Sequence, residues 1–477
     1  MIAYEPEPYP HAHDPKPVSA SARSRLPWTW LEWFAVSQTL VPALLFVPGL
    51  EGLRTLTRVA VFGIALAAGA LVYSGQRRRG VGRQAFAPLP WLAVGLAWMA
   101  VSIGHPDTNS LSAGFAAVVL TAAVCAPAFW AGELMDSPRR FVRLMTIVFL
   151  CQALNAAVGL LQVGWPEIFL PPSLKDPVKQ RELLEIGHAY ASGGRIIVRP
   201  SGLTDQAGAA SAAGAAAGLL GLAWAIAPAA QASAAVRGRS PRDVRSWMRW
   251  AGLALAGIGM ATVFFTMVRA ALAIWIISLA AFTALLWKQG LKRQLSWLAA
   301  AAAAGGLALV FLIASTNLGE RILGRFATLF DNDPTNTYVS NRGHFVAHAF
   351  STMIWESPLG GGLGRWGMIH QHFGDHQTVG RGESYWIEVQ WSAWILDGGF
   401  VLLIAYAGAM LLAMRDTARV ALHPQLDPNL NYWAAVAFAL NLSVVALTFS
   451  YVPFQSPLGM QFWLLAAAAH GASRSRE

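Results

Sequence analysis

Apolar residues run in long unbroken blocks separated by polar intervals, a pattern that suits bilayer-crossing helices better than helices lying half-exposed in water. Twelve blocks are predicted to be helices, at roughly 31–50, 56–74, 87–104, 110–131, 142–165, 206–228, 250–267, 270–287, 296–315, 391–413, 431–452 and 457–472. Two polar intervals are too long for simple turns, about 166–205 and 316–390. The expected architecture is therefore an all-α, polytopic integral membrane protein of about twelve transmembrane helices, with a long loop carrying short helices. Its expected divisions are a disordered tail (1–30), N-terminal helices (31–165), a first outer loop (166–205), central helices (206–315), a large outer loop (316–390) and C-terminal helices with a tail (391–477).

Basic residues then give a direction. Arg77, Arg78, Arg79 and Arg83, then Arg139 and Arg140, then Arg237 to Arg245, then Lys288, Lys292 and Arg293, then Arg415 and Arg419 all fall on the side of the N-terminus if there are twelve spans. The positive-inside rule puts that side, and both termini, in the cytoplasm and both long loops outside. Composition agrees: 55% of the 477 residues are hydrophobic and 13% charged, which excludes an ordinary soluble protein. The net charge of +10 sits in the short loops, so it reads as a topology signal with a lipid bilayer as partner and no nucleic acid. Cys125 and Cys151 both fall in predicted spans, and no disulfide is assigned. No repeat of fixed period and no inverted duplication of charged positions is visible, which argues against a transporter, the non-enzyme rival reading.

Two arginines carry the functional signal. Arg269 interrupts the apolar stretch Gly252–Trp287 and should occupy the outer turn between two spans. Arg199 closes the first outer loop in an Arg-Pro-Ser-Gly turn. A guanidinium grips two phosphate oxygens at once, so a pair of them on one face suits a pyrophosphate. Glycines 360, 361, 362 and 364, followed by Arg365, could bring backbone close to a ligand. His370, His372, Asp375 and His376 lack the spacing of a structural zinc site, so no metal and no cofactor is expected. Glu383 and Glu388 precede the tenth span, with Asp397 inside it; either glutamate, at the mouth of a bundle, could act as general base on a sugar hydroxyl.

The order of these features resembles the O-antigen ligase/polymerase superfamily of bacterial surface-polysaccharide enzymes over about residues 195–415. The matching motifs are Arg199-Pro200-x-Gly202 before a small-residue span and Thr266-x-x-Arg269 at a hairpin tip. They continue with Arg342 leading a helix in the large loop, Ser357-Pro-Leu-Gly-x-Gly362, and the acid-x-Gly step from Asp397 to Gly399. The resemblance implies a multi-pass protein of the bacterial inner membrane whose periplasmic site acts on an undecaprenyl-pyrophosphate-linked glycan donor. It implies metal-independent, inverting transfer to a glycan or lipid-linked acceptor, with Arg199 and Arg269 holding the pyrophosphate and Glu388, or failing it Glu383, as base. Arg342, Arg365 and His372 are further candidates for substrate contact. Glu388 stands where ligases usually place a histidine, and Val268 where a serine usually precedes the hairpin arginine. These departures favour a polymerase of repeat units, or a more distant member of the family, over a ligase that transfers finished polysaccharide to lipid A-core or protein.

Overall fold

The computed structural model describes residues 28–76, 86–171, 188–190, 196–198, 200–204, 208–228, 241–266, 268–315, 334–377, 380 and 382–474. A helix occupies each of the twelve predicted stretches: α1 Trp30–Ala43, α2 Arg54–Gln76, α3 Leu89–Ser102, α4 Leu111–Leu134, α5 Pro138–Gly164, α6 Ala209–Ile226, α7 Pro241–Thr266, α8 Arg269–Lys288, α9 Lys292–Ser315, α10 Gln390–Leu422, α11 Pro428–Leu447 and α12 Pro457–Arg474. Among the described residues, eight helices are long and apolar enough to cross a membrane: α2, α4, α5, α6, α7, α8, α10 and α11. The described residues form an all-helical assembly apart from a two-stranded antiparallel ribbon, His188–Tyr190 with Ile196–Val198. The large loop carries short helices, including a run from Pro334 to Glu356 built of α and π turns and the helix Gly367–Phe373.

Local chemistry sets several helix starts. Ser110, Ser137 and Asp427 cap α4, α5 and α11, each accepting a hydrogen bond from a backbone N–H of the first turn. Thr29 and Glu32 form a capping box on α1. Glu32 does more than cap. It is fully buried, and its Oε1 lies 3.5 Å from Arg140 Nε and 3.4 Å from an Arg143 nitrogen. Both arginines belong to α5, so this ion cluster ties α1 to α5, and those two helices form one wall of the cavity described below.

Packing between α6 and α7 relies on glycine. A Cβ on Gly214 would lie 2.7 Å from Gly259 O, and one on Gly221 2.7 Å from Gly252 O. The small-residue run in α6 is thus explained by the closeness of two backbones, the usual device where lipid supplies no hydrophobic drive between helices. Exposed tryptophans mark both ends of the bundle. Trp247, Trp250, Trp287 and Trp297 ring the end where α7, α8 and α9 meet, and Trp165, Trp355 and Trp386 lie at the other. Indole favours the lipid–water boundary, so the belts fit a membrane-embedded bundle.

One consequence is directly testable. A Cβ on Gly259 would lie 2.6 Å from Gly214 O, whereas one on Gly257 meets nothing within 4 Å. Gly259→Ala is expected to destabilise the detergent-solubilised protein by about 1–3 kcal/mol, the usual cost of overpacking. Gly257→Ala should leave the melting temperature unchanged or raise it, since alanine favours helix.

Candidate functional site

A cavity of about 690 Å³ lies among α1, α5, α6, α8 and α12, and its lining includes two cations, Arg269 and Arg342. Arg269 is the first residue of α8, and the extended backbone of Val268 turns the chain into that helix. The site therefore combines a half-buried guanidinium with the positive end of a 20-residue helix, both of which favour an anion. Arg342 comes from the large loop, on the Pro334–Glu356 run. Below this charged rim the lining passes to Ala273, Ile274 and Ile277 of α8, which continue inward for about 12 Å.

Arg199 lies outside the described residues. The turn that follows it is docked firmly: Gly202 N–H donates to Gln162 Oε1 at 2.9 Å, Gln162 Nε2 donates to Gly202 O at 2.8 Å, and Leu203 N–H donates to Asn155 Oδ1 at 2.7 Å. Gly202 has φ +63, and a Cβ there would overlap the Asn155 side chain, so the glycine of the Arg-Pro-x-Gly turn is required by its contact with α5. Thr204, two residues on, lines the cavity.

The loop run over the cavity is held at two points. Tyr338 donates its hydroxyl to Phe449 O at 3.0 Å, and partial burial moves its phenol pKa further up. Arg342 forms an ion pair with Glu388, whose other oxygen accepts the Trp386 indole N–H at 2.8 Å. Glu388 thus stands behind Arg342 and is not itself part of the cavity lining. Glu383 is exposed; its carbonyl accepts a 2.8 Å hydrogen bond from Arg365 Nε. Arg365 also donates to Gly361 O at 2.6 Å and sits over the Tyr385 ring, so its guanidinium clasps the loop together away from the cavity. His372 is exposed on the Gly367–Phe373 helix, also outside the lining. Among the described residues no cluster of three or more His, Cys, Asp or Glu could hold a metal ion, and both cysteines are free.

Two of the sequence motifs meet as one joint. Gly398 and Gly399 break the helical path of α10, and Gly399 has φ 59 with ψ −146. The Ser357–Gly362 turn docks into the break: Phe400 N–H donates to Pro358 O at 2.9 Å and Gly361 N–H to Leu396 O at 2.7 Å. Trp366 Nε1 donates to Asp397 Oδ1 at 2.9 Å, and Trp98 Nε1 to Gly398 O at 2.9 Å. Asp397 is therefore a buried anchor for the loop. A Cβ on Gly399 would lie 2.1 Å from Pro358 O, which accounts for the glycine.

One lining element departs from the helix predicted for its residues. Hydropathy extends the eleventh stretch as helix to 452, yet α11 ends at Leu447 and Thr448–Ser456 folds back. Phe449, Ser450, Tyr451 and Ser456 from this segment line the cavity. Gln390 holds it, donating its N–H to Thr448 O and Tyr451 O, each at 3.1 Å, and accepting Phe454 N–H on Oε1 at 3.0 Å. Pro453 and Pro457, which lack the N–H a continuing helix needs, were the available signal.

The assembled geometry offers two guanidiniums and a helix N-terminus for a phosphate-bearing group, with one apolar wall, from α8, for hydrocarbon beneath. Compared with known proteins, the chain matches no family model and no curated sequence.

Proposed function

We propose that the protein is a membrane glycosyltransferase that polymerises undecaprenyl-pyrophosphate-linked oligosaccharide repeat units at the periplasmic face of the bacterial inner membrane. The observation that carries this reading is the amphiphilic cavity, with Arg269 and Arg342 at its rim and α8 apolar side chains below. A lipid pyrophosphate has the same division of charge and hydrocarbon. Arg269 and Arg342 bind the pyrophosphate, joined by Arg199, which precedes in sequence the Gly202–Leu203 turn docked by Gln162 and Asn155. As the glycosidic bond to the pyrophosphate breaks, negative charge grows on the leaving group, and fixed guanidiniums stabilise it without a metal ion. Glu388, held beside Arg342, is the proposed base for the acceptor hydroxyl.

The test is the lipid-linked pool in cells that lack the protein. Accumulation of single repeat units is the expected result. Accumulation of long chains would instead assign transfer of finished polysaccharide to lipid A-core or protein, and an unchanged pool would overturn both.

A further inference from the structure

The deep wall of the cavity carries side chains that neither the pyrophosphate nor its hydrocarbon tail uses. Gln38 on α1, Gln152 on α5 and Gln461 on α12 all line it, with Thr39 beside Gln38. Gln152 lies about 18 Å along α5 from its outer end at Gly164, well inside the bundle. Gln152 Nε2 donates to Gln461 Oε1 at 2.8 Å, which leaves the Gln152 carbonyl and the Gln461 amide hydrogens available. Both Gln38 amide atoms are buried against neighbouring atoms and have no hydrogen-bond partner among the described residues, so a rotation of the side chain is what brings them to a ligand in the cavity. A polar group in that state is costly unless something else satisfies it. Among the described residues the lining contains no Asp, Glu or Lys, and its only cations are Arg269 and Arg342. The inner wall is therefore neutral, offering donors and acceptors in equal measure.

We infer that Gln38, Gln152 and Gln461 form a subsite for an uncharged sugar, taking the hydroxyl or acetamido groups of the ligand's first residue. This rests on the proposed function, because it takes the sugar to arrive attached to the pyrophosphate held at the rim. Amides suit a neutral sugar because each offers both halves of a hydrogen bond and pairs with hydroxyls without the desolvation cost of a charge. The subsite would distinguish a neutral first sugar from a uronic acid, which would bring an unpaired carboxylate against the amides.

The experiment compares two probes, farnesyl pyrophosphate and farnesyl-pyrophosphoryl-N-acetylglucosamine, binding to the full chain in lipid nanodiscs. Wild type is expected to bind the sugar-bearing probe about tenfold more tightly. Gln38→Leu should lose most of that increment and keep the affinity for farnesyl pyrophosphate, with a melting temperature unchanged or raised, because neither of its amide atoms has a hydrogen-bond partner to lose among the described residues. Arg269→Gln should weaken both probes. Cys151, which also lines the cavity, should be alkylated by N-ethylmaleimide more slowly with the sugar-bearing probe present. Equal affinity of wild type for the two probes overturns the subsite and leaves the proposed function standing. So does a glutamine variant that keeps the full sugar increment, or one that loses it only with a lowered melting temperature. No binding of either probe by wild type overturns the function and the subsite together.

Discussion

Arg269→Lys is expected to slow glycan transfer about a hundredfold or more, measured as initial rate with the purified protein in vesicles containing a lipid-linked repeat unit. The charge survives this change; the planar fork does not, and bidentate contact with two phosphate oxygens goes with it. Arg269 is also placed at the N-terminus of α8, so the helix dipole and the guanidinium would act on the same bound anion. Preorganised donors aimed at developing charge are worth about 10²–10³ in rate each, which sets the scale. Arg342→Lys should cost less, because Glu388 already takes part of that arginine's charge. A rate for Arg269→Lys within threefold of wild type would remove Arg269 from the leaving-group site. The double variant offers a check: two residues clamping one group should show non-additive losses.

The helices were legible because their residues form apolar blocks, eight of them long enough to cross a membrane, and a bilayer leaves such a block few other states. The place of Arg269 in the turn between α7 and α8 was legible for the same reason, since a cation in hydrocarbon is expensive. Three other features were not. The family-like motifs at Ser357–Gly362 and Asp397–Gly399 read as separate candidates, but they are two halves of one joint, and only the structure brings Pro358 against Gly399. Arg365 looked like a ligand contact beside a glycine run, yet its donors go to loop carbonyls, a local use that composition does not reveal. The glutamines inside the spans passed unnoticed because a single amide barely lowers the hydropathy of a twenty-residue window. Their meaning comes from convergence: Gln38, Gln152 and Gln461 are far apart in sequence and meet only when α1, α5 and α12 pack.

Glu388→Gln should reduce transfer by about a hundredfold to ten-thousandfold if its carboxylate takes the acceptor proton, the range general-base help usually covers. The geometry supplies a competing role, because Glu388 also holds Arg342 at the cavity rim. The two roles predict different arithmetic. Were Glu388 only a tether, Arg342→Gln would already abolish its purpose, and adding Glu388→Gln to that variant would cost almost nothing further. As a base it keeps its own contribution, so the double variant should fall well below Arg342→Gln alone. Glutamine can still accept the Trp386 indole hydrogen bond, which preserves that local contact in the comparison. Donor binding gives a second separation: a base variant retains its affinity for farnesyl pyrophosphate, whereas a lost tether lets Arg342 move and weakens it. Full activity of Glu388→Gln would shift the role to Glu383, which is exposed and outside the cavity lining. Full activity with both glutamates replaced would end carboxylate base catalysis for this site.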